Sequence, residues 1–181
     1  LAVILYLGLV LIDKNLLISQ LRFSFLDRNL ELGSFSIFFT VFSFIVFLNA
    51  LNMFDGINGQ VSIYSIILLL LLLNKNINIE IVVLIIIFLI FYFIFNMKNK
   101  MFLGDSGISV LAYVISTNFI LEYNKDIIIN ADLIFLYFSI PGYELIRLTF
   151  QRLIIGKHPF SADNNHMHHY LKKIFNNKSL L

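Results

Sequence analysis

Residues 79–95 read IEIVVLIIIFLIFYFIF, from Ile79 to Phe95, with one charge, Glu80, at the edge. A membrane-spanning helix needs about 20 apolar residues, with about 17 as the lower limit. This run meets that requirement. Before it lies Val61–Leu73, which ends in six consecutive leucines. Before that lies Phe35–Leu51, interrupted only by small polar residues and Asn49. Leu1–Ile12 reads as the second half of a span whose beginning is missing. Gly107–Leu121 and Ile127–Ile140 follow on the C-terminal side. The short runs can borrow flanking residues or thin the bilayer locally. The two prolines, Pro141 and Pro159, sit at segment ends, so no span interior is expected to be broken.

Composition agrees. The chain has 181 residues, 59% hydrophobic and 13% charged, with a mean hydropathy of +0.88. Soluble domains are about 45–50% apolar and about 25% charged. A disordered chain, a disulfide scaffold and a water-soluble domain are excluded. A net charge of +2 is too small to point to nucleic acid, and zero cysteines exclude thiolate metal sites. The expected fold is all-α: a polytopic transmembrane helix bundle whose cytoplasmic loops carry the active site. Residues 1–181 form one membrane domain, read as a fragment without its N-terminal helices. Residues 144–181 form a cytoplasmic extension, a short amphipathic helix over Glu144–Ile155 ended by Gly156, then a His-rich segment.

Orientation comes from Lys and Arg. Residues 13–34, 74–78 and 122–126 share one side and hold five basic residues; 52–60, 96–106 and everything after 140 share the other and hold eight. The positive-inside rule makes the second side cytoplasmic. All the chemically unusual residues fall there too.

Those residues form three clusters. In the first, Asn49, Asn52 and Asp55 recur every three residues on one helix face, running into Gly56, Asn58 and Gly59. A carboxylate at a membrane helix end needs a cation, donors or water. A plain helix-ending turn is the simpler alternative. The second cluster holds Lys100, Phe102, Gly104, Asp105, Ser106 and Gly107. Asp105 could hold a hard cation such as Mg2+. Equally, Asp105 or Ser106 could cap a helix over Gly107–Leu121. The third runs from Lys157 to His169 and contains all four histidines, His158, His166, His168 and His169. Histidine suits proton transfer and phosphate contact near neutral pH, although a solvated or metal-binding tract has the same composition.

Together the clusters resemble the polyprenyl-phosphate N-acetylhexosamine-1-phosphate transferases, the glycosyltransferase family 4 enzymes. That family's pattern runs Asn-x-x-Asn-x-x-Asp-Gly-x-Asp-Gly, then Lys-x-Phe-x-Gly-Asp-x-Gly, then Pro-Phe-Ser-x-Asp and His-x-His-His. The matching residues are Asn49, Asn52, Asp55, Gly56 and Gly59; Lys100, Phe102, Gly104, Asp105 and Gly107; and Pro159, Phe160, Ser161, Asp163, His166, His168 and His169. The resemblance implies transfer of a sugar 1-phosphate from a UDP-sugar, with UDP-GlcNAc the default, to undecaprenyl phosphate with release of UMP. It implies a bacterial inner-membrane, multi-pass enzyme that initiates a cell-envelope polysaccharide. Its partners would be the UDP-sugar, the polyprenyl phosphate lipid and the membrane; a homodimer is left open and nucleic acid is not expected.

By the same resemblance, Asp105 ligates Mg2+, with Mn2+ as an alternative. Phe102 stacks on the uracil, and Asn49, Asn52, Asn58 and Lys100 serve the nucleotide sugar. Asp55, Asp105, His166, His168 and His169 form the catalytic set. Three departures stand out. The family's upstream Asp-Asp pair lies before Leu1, so this chain alone is expected to be inactive. Asn58 stands where the family has Asp. Asn164 and Glu144 stand where many relatives have Arg and Asp. A non-catalytic membrane homologue, acting as an assembly partner, is the alternative reading.

Overall fold

In lipid, each backbone N–H and C=O must be satisfied within the protein, so long apolar runs become helices. The computed structural model of the protein describes residues 1–73, 79–128 and 130–156. It contains α1 (Ala2–Ile12), α2 (Ser36–Phe54), α3 (Gln60–Leu73), α4 (Ile79–Met97), α5 (Gly104–Asn124) and α6 (Ala131–Ile154). Four stretches are long and apolar enough to cross a membrane: Gly33–Phe54, Ile79–Met97, Gly104–Asn124 and Ala131–Ile154. The fold is a helical multi-pass membrane bundle. Many large apolar side chains face outward on these helices, among them Leu84, Phe91 and Phe135. In a bilayer those faces meet lipid, and the helices are held together by close packing rather than by escape from water.

The packing centres on α2, which lies against α1, α5 and α6, while α3 pairs with α4. Tyr6 stacks on Phe44 with ring centroids 3.9 Å apart. Phe47 meets Phe138 at 4.3 Å, and Phe119 meets Phe138 edge-on at 5.0 Å. These rings join α1 to α2 and α2 and α5 to α6.

Two sequence-based expectations need correction. First, α5 starts at Gly104 rather than Gly107, so Asp105 and Ser106 stand inside its first turn. Second, the sixth span and the amphipathic extension are one helix, Ala131–Ile154, running through Pro141. Pro141 ends nothing because the carbonyl it leaves free, Tyr137 O, accepts the Tyr64 hydroxyl of α3 at 2.9 Å. The helix is about 36 Å long at about 1.5 Å per residue, more than the ~30 Å hydrocarbon core requires. Gly156 does end it, with φ +72°. The 13–34 connection, to which the sequence assigns no elements, carries short ones. It holds a short antiparallel pair, β1 (Gln20–Leu21) and β2 (Leu30–Glu31), between two 3-10 turns.

The 13–34 connection lies against the α5–α6 turn. Asp126 takes a left-handed φ of +59° as the residue closing α5, with Ile127 N–H bonding Glu122 O at 2.9 Å and Asp126 N–H bonding Tyr123 O at 3.1 Å. Arg22 pairs with Asp126, donates to the Tyr123 carbonyl and sits 4.1 Å over the Tyr123 ring. Ser24 donates twice to the Asp132 carboxylate, from N–H at 3.0 Å and from the hydroxyl at 2.7 Å. Asn124 donates to Asn15 O and Leu17 O. At the opposite end, the 55–59 loop meets residues 96–101. Among the described residues, the 13–34 connection and the α5–α6 turn thus meet at one end of the bundle, and the 55–59 and 96–101 loops meet at the other.

Single cysteines test this in a chain that has none. Replacements at Asp27 and Lys98, both exposed, should react with an impermeant maleimide from opposite sides of sealed vesicles. Labelling of both from the same side would contradict the fold.

Candidate active site

The first cluster ends α2. Its apolar face packs Phe47, Leu51 and Phe54 into the bundle, and the helix stops at Asp55, whose N–H still bonds Leu51 O at 3.1 Å. The chain then turns through Gly56–Gly59 into α3. Gly59 has φ +81°, and a Cβ there would lie 2.6 Å from Phe93 Cε2 and 3.0 Å from Met97 Sδ. Any side chain there would strain the left-handed backbone and push the Phe93 and Met97 side chains of α4 aside.

The second cluster leaves α4 through a tight cap. Lys100 N–H bonds Phe95 O and Asn99 N–H bonds Asn96 O, both at 2.9 Å, with Asn99 at φ +56°. That is the glycine-type helix ending, here made by an asparagine, which tolerates the left-handed conformation well. The chain then exposes Lys100, Met101 and Phe102 before α5 begins.

A buried amide joins the two loops. Asn96, 4% exposed, accepts the Gly59 N–H at 2.6 Å through Oδ1 and donates to Met101 O at 2.8 Å through Nδ2. A second link runs between loop side chains, with Asn58 Nδ2 donating to Asn99 Oδ1 at 2.6 Å. Tyr92, one turn before Asn96 on the same buried stripe of α4, is buried as well. Asp55, Asn58, Lys100, Phe102 and Asp105 therefore stand on loops and helix ends fastened to one another.

The electrostatics of the two acids differ. Asp55 is half-buried, its carboxylate has no hydrogen-bond partner among the described residues, and burial pushes its carboxyl above the ordinary 3.8. Asp105 is exposed, in the first turn of α5, and no side chain caps that helix. The capping role open from sequence is thus removed for Asp105 and Ser106. Phe102 holds its ring 73% exposed.

Not every expected residue joins the site in the same way. Asn52 is exposed and free to serve it. Asn49 turns its amide back to Ile45 O at 2.8 Å, satisfying its own helix. His166, His168, His169 and the rest of the third cluster lie outside the described residues. Glu144 is buried and paired with Arg147 at 2.6 Å on the same helix. Asn96, Asn99 and Tyr92 were missed in the sequence. A signal existed for Asn96: Val82, Ile86, Leu89 and Tyr92 are the buried residues of α4, and Asn96 continues their stripe one turn further.

Fold and site together define a multi-pass membrane protein with a polar, two-loop site at one end of an apolar bundle. The sequence model of Glycosyl transferase family 4 matches residues 1–122, and the chain belongs to that family. It is 26% identical over 177 residues to the undecaprenyl-phosphate alpha-N-acetylglucosaminyl 1-phosphate transferase of Escherichia coli (strain K12), covering 91% of this chain and 48% of that protein. A Thermotoga maritima protein of the same name is 30% identical over 150 residues, covering 80% of this chain and 46% of that one. The chain spans about half the length of the curated relatives it matches. No solved structure matches it significantly.

Two outcomes follow. Asn96→Ala removes two hydrogen bonds and strands the buried Gly59 N–H, so it should destabilise the fold by about 2 kcal/mol, read from thermal unfolding in detergent. Asp55 binds its proton more tightly folded than unfolded. Its contribution to stability is complete below pH 3.8 and is lost as pH rises through the raised folded value. Asp55→Asn should therefore match the wild type near pH 3 and gain stability relative to it towards pH 7 in metal-free buffer. A constant difference across that range would contradict the burial of an uncompensated charge.

Proposed function

We propose that this chain forms the nucleotide-sugar end of a membrane transferase. It moves N-acetylglucosamine 1-phosphate from a UDP-sugar to undecaprenyl phosphate and releases UMP. The observation that supports this reading most strongly is the Asn96 link. It fastens the Asp55–Gly59 turn to the loop carrying Lys100, Phe102 and Asp105. The relatives are named for the sugar phosphate and the lipid acceptor, which this reading carries over.

The reaction is a phosphoryl displacement. An oxygen of the lipid phosphate forms a bond to the phosphorus that carries the sugar, and the bond from that phosphorus to the UMP oxygen breaks. The attacking oxygen is already anionic, so alignment and charge compensation dominate over proton transfer. The exposed Phe102 ring receives the uracil by stacking, and the Asn58 amide offers hydrogen bonds to its edge. Lys100 and the N-terminus of α5 face the diphosphate with positive charge. The apolar bundle keeps the polyprenyl tail in the same membrane as the site. By the Lys/Arg bias, the motif end faces the cytoplasm of a bacterial inner membrane, where UDP-sugars are made, and the product starts an envelope polysaccharide.

The donor set fits a hard divalent cation. Among the described residues the Asp55 carboxylate accepts no hydrogen bond and Asp105 caps no helix. One or two carboxylates beside substrate phosphates are what Mg2+ takes from a protein. Asp105 would hold it, with Asp55 close to the same loops; Mn2+ has similar preferences. When bound, the ion supplies charge neutralisation on the diphosphate oxygens.

The test is UMP release from a panel of UDP-sugars in membranes holding the intact protein and polyprenyl phosphate. UDP-GlcNAc should be the best donor, and Asp105→Asn should lower turnover by about a hundredfold or more. Phe102→Ala should chiefly raise the KM for the donor. Near-wild-type turnover of Asp105→Asn with an unchanged Mg2+ response would reject the metal role. Absence of UMP release with every donor would favour a non-catalytic homologue.

A further inference from the structure

A proline inside a helix leaves the carbonyl four residues back without its usual donor. In α6 that carbonyl is Tyr137 O, opposite Pro141. The Tyr64 hydroxyl reaches it from α3 at 2.9 Å. The buried Tyr64 ring meets Phe54 edge-on, with centroids 5.4 Å apart, and Phe54 is the last residue of α2 before Asp55. One side chain thus touches the end of α2 and the weak point of α6 from its seat on α3. Gly142, next to the proline, has open space at its Cβ position, while Pro141 itself is buried.

Beyond Pro141, α6 turns Glu144, Leu148 and Arg152 inward, all buried. Glu144 accepts from Arg147 Nε at 2.9 Å and from Arg147 Nη2 at 2.6 Å. Phe47 of α2 touches Phe138 of α6. Equal steps along the two helices from that contact reach Phe54 and Leu145, so the Glu144–Arg147 pair stands near the depth of Asp55.

We infer that Tyr64 is a positioning residue: its hydroxyl replaces the hydrogen bond that Pro141 deletes, and so fixes the angle at which the motif-end half of α6 stands against α2. The inference goes beyond the transferase reading and does not depend on it.

Spin labels test it in the cysteine-free chain. One pair joins Phe91 of α4 to Ile154 of α6, both exposed, with the protein in nanodiscs. The wild type should give one narrow distance distribution. Tyr64→Phe should broaden it and move it to longer distance. Adding Pro141→Ala to Tyr64→Phe should restore the narrow distribution, because alanine at 141 gives Tyr137 O a donor within its own helix. A reference pair on Ile12 and Phe135 should not change in any variant. An unchanged distribution in Tyr64→Phe would overturn the inference. So would failure of Pro141→Ala to restore it, since loss of packing alone is not rescued by a new backbone donor. If Tyr64→Phe yields no folded protein, recovery of folded protein in the double variant supports the inference and failure to recover it refutes it.

Discussion

A side-chain amide buried at the mouth of an apolar bundle has to satisfy a donor and an acceptor, and Asn96 does so in two different loops. Its burial makes both bonds costly to lose. The Gly59 backbone can approach only because it carries no Cβ, and Phe93 and Met97 of α4 occupy the space one would need. The left-handed Asn99 then turns the chain so that its amide meets Asn58. Each step is local, yet the sum brings loops from two helical hairpins into fixed register. The acids and the exposed ring gain their relation to each other from this constraint.

The opposite end of the bundle shows the same logic with different chemistry. There the fastening is ionic and aromatic: Arg22 lies over Tyr123 and pairs with Asp126, and Asp132 takes both donors of Ser24. These contacts tie the first long connection to the α5–α6 turn. Between the ends the helices are joined by rings and small side chains, as expected where lipid offers no hydrophobic drive to association. A rigid scaffold with a polar clasp at each end is well suited to hold a charged site at a membrane surface.

The helical membrane fold was legible because it depends on composition and run length, which sequence displays directly. Boundaries were less so. α5 begins three residues earlier than the apolar run because Gly104, Asp105 and Ser106 are helical without being apolar. α6 passes through Pro141 because a tyrosine from another helix satisfies the freed carbonyl, and no local pattern announces a partner so distant in sequence. At the candidate site, Asp55 and Asp105 stood out in the sequence as acids at helix ends, and Phe102 was singled out only by the family resemblance. Asn96 was not, because it looked like the first loop residue after an apolar run, although it continues the buried stripe of α4. The two-residue strands in the first connection lacked any alternation long enough to read.

The central claim is that the Asp55–Gly59 turn and the Lys98–Asp105 segment form a single nucleotide site. Photo-crosslinking with 5-azido-UDP-GlcNAc, followed by mass spectrometry of the labelled peptides, tests it most directly. The account predicts adducts in both segments, centred on Asn58 and Phe102, and competition by unmodified UDP-GlcNAc. Adducts confined to one segment, or found instead in the 13–34 and 122–132 end of the bundle, would contradict it.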